Sequence, residues 1–538
     1  MAPTVIRVGQ ARLTAGLDRH ARLDLAAHRQ EFGPLPNPTA ADLIRMAGEV
    51  DLRGRGGAGF PVARKLRAVM TATSAGKHHP AVVVNAAEGE PGSAKDKMLL
   101  WRSPHLVLDG ALIAARALDA REITVAVAGD GPHLQSVSEA VAEDATLRRM
   151  VRVVSVPDRF VSGEGGALVN ALNGKKALPP GQKVLASDSG VRGQPTLLSN
   201  AETFAQLAVL TMLGSSGYAS AGLAEEPGTV LLTIGGAVGR PAVVEVPTGV
   251  PLGHILDICG AEPPGGILVG GYHGLWLDPE VAYQVPVSRA GLAAAGGVLG
   301  AGVVLVIGEE SCPLGEVSRV ASYLAMQSSG QCGPCKIGLP SAARLLAAIT
   351  SGSGGFDDLE ELRRVAGGVR GRGACAHPDG TANFVVSALD AFSADLSEHM
   401  FRGRCGRAVA GVLPLPGESD PDADSGTRLA VDWTRCSGHG LCSRLVPELI
   451  QLDEHGYPEL LDVPVPFWLG RDAKQAVEMC PTLALSLKRA APAAPAAWPA
   501  AGPPPQSGLT ASRARKADRE AAEVAHSAWI AAISGRPQ

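Results

Sequence analysis

No cysteine precedes Cys259, and the nine in the chain end at Cys480. An odd count clustered toward the C-terminal half, behind an N-terminus without a charged-then-apolar leader, argues against a disulfide framework and points to metal or cluster ligation. Aromatic residues make up only 4% against 46% hydrophobic. A core built on Ala, Gly and Val follows, which suits an α/β protein. Basic charge is not in excess: 49 Lys and Arg face 53 Asp and Glu, so a nucleic-acid partner is not expected. Long charge-free runs are scarce. Ala290–Gly308 carries no charge, but six of its residues are glycine, and it reads as a Gly-rich turn running into a buried strand, Val303–Ile307, rather than a membrane span. The expectation is a soluble, cytoplasmic protein that reaches a membrane only through a partner.

At 538 residues the chain has room for three or more domains. Its most distinctive stretch is Asp51-Leu-Arg-Gly-Arg-Gly-Gly-Ala-Gly-Phe-Pro-Val-Ala-Arg-Lys65, with Gly54, Gly56, Gly57 and Gly59 flanked by Arg53, Arg55 and Lys65. Glycines let the backbone turn through positive φ and let a ligand approach closely. Successive N–H groups opening onto a helix N-terminus cradle an anion. The stretch is neither G-x-G-x-x-G nor a P-loop; a phosphate-bearing cofactor is expected on it.

Along the chain, helices are expected at 21–30 and 39–47 in a lead-in, then at 65–73. The run Pro80–Asn85 reads as a buried parallel strand, ending in the polar loop Asn85-Ala-Ala-Glu-Gly-Glu-Pro-Gly92, where open α/β sheets place their ligands. Helix 106–117, strand 122–128, helix 135–143 and strand 151–156 continue the β–α alternation of a doubly wound sheet. A second Gly-rich turn carries Glu164 into a helix at 167–172, and another helix covers 203–213. From Gly228 the pattern becomes short strands around a helix at 251–259. Helices follow at 315–325, 340–350, 357–369 and 383–399. Residues 410–427 read as an acidic Pro/Gly-rich linker, and 491–538 as an Ala/Pro-rich tail with room for a terminal helix.

Two cysteine sets stand out. Ser328-Ser-Gly-Gln-Cys332-Gly-Pro-Cys335 and the later Cys375 fit redox thiols, zinc or an iron–sulfur cluster; three thiolates complete a structural zinc site only if His377 joins them. Cys436-Ser-Gly-His439-Gly-Leu-Cys442 with Cys480-Pro481 is a ferredoxin frame with histidine in the middle position. It suits a [3Fe–4S] cluster, with the [4Fe–4S] form as the alternative.

Together these residues resemble the NADH-oxidising flavoprotein subunit of respiratory complex I and its relatives in NAD-linked hydrogenases and formate dehydrogenases. Arg53–Pro61, Asn85–Gly92 with Lys95-Asp96, Ser162-Gly-Glu164 with Ala167-Leu168, Pro195-Thr to Glu202-Thr203, and Ser329–Cys335 carry the resemblance, over about residues 45–400. It implies a Rossmann-like FMN domain (1–227 here), a β-grasp domain (228–288) and an α-helical iron–sulfur bundle (305–405). A small α+β ferredoxin domain (428–490), similar to the ferredoxins of P450 systems, follows. By analogy Gly54, Arg55, Gly56, Gly57, Lys65, Asn85, Glu88, Glu164 and Asn200 surround FMN. Phe60, Lys65 and Glu90 help place NAD(P)H. Cys332, Cys335 and Cys375 hold a [4Fe–4S] or incomplete cluster, and Cys436, Cys442 and Cys480 hold the ferredoxin cluster.

Four positions depart from that pattern. Ser329 stands where the family has its first cluster cysteine, so that this cluster is [3Fe–4S], serine-ligated, completed by Cys312 or Cys405, or absent. Ala87 replaces an aspartate, Gly165 a second glutamate, and Ala68 a larger aromatic. The reading is an oxidoreductase moving electrons from a reduced nicotinamide nucleotide through FMN and clusters to an electron-carrier partner, with a P450-type or membrane haem protein as a candidate acceptor. A non-catalytic electron-transfer or assembly subunit with a vestigial flavin site, and a flavoprotein fed by another reduced carrier, are the alternatives.

Overall fold

The computed structural model describes residues 3–76, 79–181, 184–416, 427–446, 449–460, 465 and 470–489. The expected tail at 491–538 and most of the expected linker, 417–426, lie outside them. The chain divides into two units: 1–346 with 360–391 and 408–416, and 347–359 with 392–407 and 417–538.

Ten strands are described in the first unit: β1 (Thr4–Arg7), β2 (Ala81–Ala86), β3 (Ile123–Ala128), β4 (Val151–Val156), β5 (Thr196–Asn200), β6 (Thr229–Gly236), β7 (Ala242–Pro247), β8 (Pro264–Val269), β9 (Leu275–Leu277) and β10 (Val303–Gly308). One sheet has the order β4-β3-β2-β5, all parallel. Its two central strands are apolar almost throughout because both faces are covered. Val82 and Val84 pack into the core that includes Leu108, Leu112 and Leu207, while Val83 packs on the opposite face with Leu168 and Val191.

The strand order turns at β2. The chain leaves β2 toward β3 and β4, then crosses over to place β5 on its other side. The crevice beyond the carboxyl ends of β2 and β5 is therefore the switch point where such sheets bind ligands. Asn85 and Asn200 are paired in register there.

A second, mixed sheet has the order β1-β7-β6-β10-β8-β9. It recruits β1 from the lead-in and β10 from beyond the expected 228–288 module. Four residues give β1 too short an alternation to read as a strand. Buried Glu245 on β7 secures the segment after it, accepting from the backbone N–H groups of Arg12, Leu13 and Thr14 and from the hydroxyls of Thr14 and Thr229.

Several elements differ from the sequence pattern. The helix Lys95–Arg102 and strand β5 were not expected; Ser, Asn and Lys in these segments mask their apolar faces. The expected 383–399 helix is two, His377–Ala391 and Ser393–Arg402, parted at Phe392. The helix starting at Ala201 loses regular geometry at Gly214, φ 67°, which matches the expected end at 213.

In the second unit β11 (Thr427–Val431) pairs antiparallel with β14 (Leu485–Arg489), and β12 (Ile450–Leu452) with β13 (Pro458–Leu460). Val446, Ala473, Ala476 and Leu485 form its small core, with Cys442 and Cys480 packed against it. Among the described residues no helix is long and apolar enough to cross a membrane.

The helices Pro104–Leu118 and Ala201–Tyr218 meet at backbone distance: a Cβ on Gly110 would lie 1.8 Å from the Phe204 carbonyl oxygen. Because the second of these helices starts at Asn200, Gly110→Ala is expected to cost about 3 kcal/mol or more. A denaturant titration of the variant checks this.

Candidate functional site

The Gly-rich loop is closed by a bond from Gly54 N–H to the Phe60 carbonyl at 2.9 Å and feeds the helix Val62–Ala75. Its open face is at Gly57, φ +107°, where an added Cβ would meet nothing within 4 Å. A Cβ on Gly56 would lie 3.2 Å from that of Asn200, which brings the loop against the carboxyl edge of the sheet. Arg55 N–H donates to Thr203 Oγ1 at 2.9 Å. Arg55 is 6% exposed; its Nη2 donates to the Thr229 carbonyl at 3.5 Å, while its Nη1 and its Nε, 3.9 Å from Glu202, have no hydrogen bond. A cavity of about 230 Å³ opens on this loop, lined among others by Gly54, Arg55, Gly57, Lys95, Glu202 and Arg289. An open glycine cradle beside an under-satisfied buried guanidinium fits the phosphate end of FMN.

Asn200 is fixed from two sides. Its Oδ1 accepts from Glu202 N–H at 3.0 Å, capping the following helix, and its Nδ2 donates to Asp96. Lys95 Nζ lies 2.9 Å from Asp96 Oδ1 and 3.0 Å from Glu202 Oε2. Burial alone would lower the Lys95 ammonium, but Asp96 and Glu202 hold it above its ordinary value. Lys65 Nζ donates to the Leu198 carbonyl at 2.8 Å, and burial lowers its pKa. Asn85 Nδ2 donates to the Gly163 carbonyl at 2.8 Å.

The acids take different places. Glu88 turns inward, accepting from Ser93 Oγ and from the N–H groups of Asp96 and Lys97 at the start of the unexpected helix. Burial, with Asp96 nearby, pushes its carboxyl up. Glu164 caps the helix Gly165–Leu172 through Ala167 N–H at 2.8 Å. Glu90 Oε2 accepts from Tyr272 N–H at 3.1 Å while its Oε1 is buried without a hydrogen bond; burial, aided by Glu88, pushes it up to about 8. Phe60 is 49% exposed. Sequence reasoning assigned no role to Lys95, Asp96, Glu202 or Thr203. In the sequence they entered only as parts of the motifs that carry the family resemblance, two short polar pairs far apart in the chain.

The second cluster of groups starts at Glu164. Burial, with Cys335, Glu164 and Cys332 nearby, pushes the Cys375 thiol up to about 11. Cys332, Cys335 and Glu164 are thus each within electrostatic reach of Cys375. Cys335 is fully buried and lies 3.8 Å from Ser329 Oγ; Pro334–Gly338 forms a single π-helical turn, a feature frequent at functional sites. His377 donates from Nε2 to the Leu324 carbonyl at 2.8 Å and so accepts at Nδ1 from His273 Nε2, 3.0 Å away. Phe160 packs on both rings. Three thiols with a hydroxyl fit an iron–sulfur cluster in donor chemistry.

In the second unit burial pushes the Cys442 thiol up, helped by Cys436 and Cys480. Burial would do the same to Cys480, but N–H groups of Leu485 and Ala484 bring it below the usual value. His439 is exposed.

Comparison with known proteins matches residues 47–209 to the Nuo51 FMN-binding domain, 316–399 to the NADH-ubiquinone oxidoreductase-F iron-sulfur binding region, and 429–487 to a 4Fe-4S single cluster domain. The chain is an FMN- and iron–sulfur-dependent oxidoreductase of the NADH-dehydrogenase type. It belongs to the family of the NADH-quinone oxidoreductase F subunits. It is 30% identical over 385 residues to the F 2 subunit of NADH-quinone oxidoreductase in Rhizobium meliloti, covering 68% of this chain and 90% of that protein. The corresponding F subunit of Streptomyces coelicolor is 31% identical over 68% of this chain and 84% of its own. The NADP-reducing hydrogenase subunit HndC of Solidesulfovibrio fructosivorans is 26% identical over 76% and 84%. Among solved structures, an NAD+-reducing [NiFe]-hydrogenase in the air-oxidized state superposes with a TM-score of 0.65 at 27% identity, over 74% of this chain and 68% of that one.

Two outcomes follow. Lys95→Met strands two buried carboxylates and is expected to cost about 3–5 kcal/mol, read from chemical denaturation. Glu90, raised to about 8 when folded, binds its proton more tightly in the folded chain. Its contribution is therefore present below the ordinary carboxylate range and lost as pH rises through about 8. Glu90→Gln should flatten that fall in melting temperature.

Proposed function

We propose that this chain takes electrons from a reduced nicotinamide nucleotide at a flavin held on the Gly-rich loop, and delivers them through the Cys332/Cys335/Cys375 cluster and the Cys436/Cys442/Cys480 module to an electron-carrier partner. The observation that carries the reading is the placement of Glu164, which caps a helix at the flavin edge and lies within electrostatic reach of Cys375.

Bound FMN would supply the conversion of a hydride into single electrons. The chain's part is to hold and orient. The backbone N–H groups of Gly56 and Gly57 with the Arg55 guanidinium would receive the phosphate, the Gly54 and Arg55 N–H groups being used to shape the loop; Asn200, fixed by Asp96 and Lys95, and Lys65 and Asn85 would line the carboxyl edge. Glu88 acts one step removed, by anchoring the helix that carries Lys95 and Asp96. Exposed Phe60 offers a face for the nucleotide, and Glu90, with one carboxyl oxygen unpartnered, a polar group for it. We assign the finer architecture accordingly: a Rossmann-like FMN domain within 1–227, a β-grasp domain around 228–288 whose sheet is completed by β1 and β10, a helical iron–sulfur domain within 305–405, a linker at 410–427, and a ferredoxin-like domain over 428–490. The chain would be cytoplasmic, meeting a membrane through its partner. A haem or P450 acceptor is not carried forward, because the relatives are named as subunits of quinone- and hydrogenase-linked enzymes.

Ala87, Gly165 and Ala68 favour a second reading, in which nucleotide oxidation is lost and the ferredoxin module alone carries electrons. Anaerobic purification followed by titration with NADH and NADPH separates the two. Equimolar FMN, bleached by one of the nucleotides, supports the first. No retained flavin and no bleaching by either nucleotide sinks it. Lys65→Ala is expected to weaken FMN binding by about tenfold, the worth of one charge-assisted hydrogen bond.

A further inference from the structure

We propose that Ser329 is the fourth ligand of the cluster held by Cys332, Cys335 and Cys375, bound through its side-chain oxygen as an alkoxide. The inference rests on the reading of these three cysteines as cluster ligands and goes beyond it.

Three observations converge. Ser329, Cys332 and Cys335 stand at intervals of three, Ser-x-x-Cys-x-x-Cys, the frame in which a chain winds its ligands around one face of a cubane. Ser329 is 2% exposed, yet its hydroxyl makes none of the backbone bonds a structural serine makes: Ser322 Oγ bonds to the Ser318 carbonyl, whereas Ser329 Oγ meets the Cys335 sulfur at 3.8 Å. Gly330, φ +65°, turns the backbone between Ser329 and the thiols. The rival thiols are committed elsewhere. Cys312 caps the helix Pro313–Gln327, accepting from Gly315 N–H, and the 15 residues of that helix separate it from Ser329 by about 22 Å. Cys405 lies in the second unit, with its sulfur toward the Arg407 carbonyl.

Ligation is redox-neutral. The Fe–O bond forms as the Ser329 O–H bond breaks, and the proton passes to bulk water. Iron makes this accessible, since a bound cation lowers the pKa of a coordinated hydroxyl. A hard oxygen donor stabilises the more oxidised cluster relative to a thiolate, so the reduction potential falls. The same bond is the one that acid opens first.

The test uses the full chain, purified anaerobically and reconstituted with iron and sulfide. It is run both as it stands and with Cys436→Ala, Cys442→Ala and Cys480→Ala removing the second cluster. The readouts are iron per chain, EPR of the oxidised and reduced states, and cluster potential. Expected for the triple variant is about four irons per chain and an EPR signal in the reduced state. Ser329→Ala should lose about one iron and gain the oxidised-state signal of a [3Fe–4S] cluster. Ser329→Cys should keep every iron and raise the potential, and Ser328→Ala, which removes a second hydroxyl near the Cys335 thiol, should keep every iron. If the triple variant folds poorly, the loss of one iron between the unmodified chain and Ser329→Ala carries the same information. The proposal is overturned if Ser329→Ala retains all its iron with an unchanged spectrum, if the effect follows Ser328 instead, or if the parent chain holds three irons. Flavin that is retained and bleached by nucleotide while no iron binds the Cys332 site overturns this inference and leaves the flavin assignment standing. Absent flavin beside an intact four-iron signal does the reverse.

Discussion

Lys95 is the interaction on which the flavin edge depends. It is a buried ammonium between two buried carboxylates, one in the first turn of the Lys95–Arg102 helix and one in the first turn of the Ala201–Tyr218 helix. Taking such charges out of water is costly, and only mutual pairing offsets it. The acids are further favoured by lying at helix N-termini. Asn200 is hydrogen-bonded into the same group through Asp96 and capped onto the second helix. The carboxyl edge of the sheet is thus held by electrostatics between elements far apart in sequence, and the Gly-rich loop seats against Asn200 closely enough that a Cβ on Gly56 would crowd it at 3.2 Å.

From there the structure passes its constraints to the thiols. Gly163, in the turn before Glu164, accepts from Asn85; Glu164 caps the next helix; and Phe160, at the head of the same turn, packs on the His273–His377 pair. His377 begins the helix two residues after Cys375. Both histidines are held neutral, chiefly by burial. Their hydrogen bond ties the start of the helix that follows Cys375 to the loop at His273 without adding charge.

The buried strands and the Gly-rich loop were legible because each is a local signal: an unbroken apolar run, or glycines crowded into one turn. The cysteines were legible by spacing. What escaped was long-range. Lys95 sits more than a hundred residues from its partners Asn200 and Glu202, and a lysine beside an aspartate looks like any solvated pair until topology buries it. Glu88 looked like a ligand because it lies on the right loop; its backbone partners at residues 96 and 97 depend on a helix whose apolar side the pattern hid. Strand β1 depends on β7 and on the Glu245 clamp, neither of which four residues can announce.

The departures at the flavin rim are chemical rather than architectural. A Cβ on Gly163 would lie 2.5 Å from the Ala87 carbonyl, and one on Gly89 would lie 2.2 Å from the Arg159 carbonyl. The loops carrying residues 87–89 and 159–163 therefore meet backbone against backbone, and their spacing does not depend on which side chain stands at 87. At Gly165 an added Cβ would meet only Leu198 Cδ2, at the ordinary contact distance of 3.6 Å, so the fold has room there for a larger residue. Removing polar groups at these two positions leaves the cradle's shape intact and changes only what it can hydrogen-bond. On the proposed assignment the phosphate end would be gripped by glycine N–H groups, Arg55 and the Lys95 network, so flavin retention and nucleotide recognition would be physically separable in this chain. Substitutions at the rim would then retune the donor without loosening the cofactor.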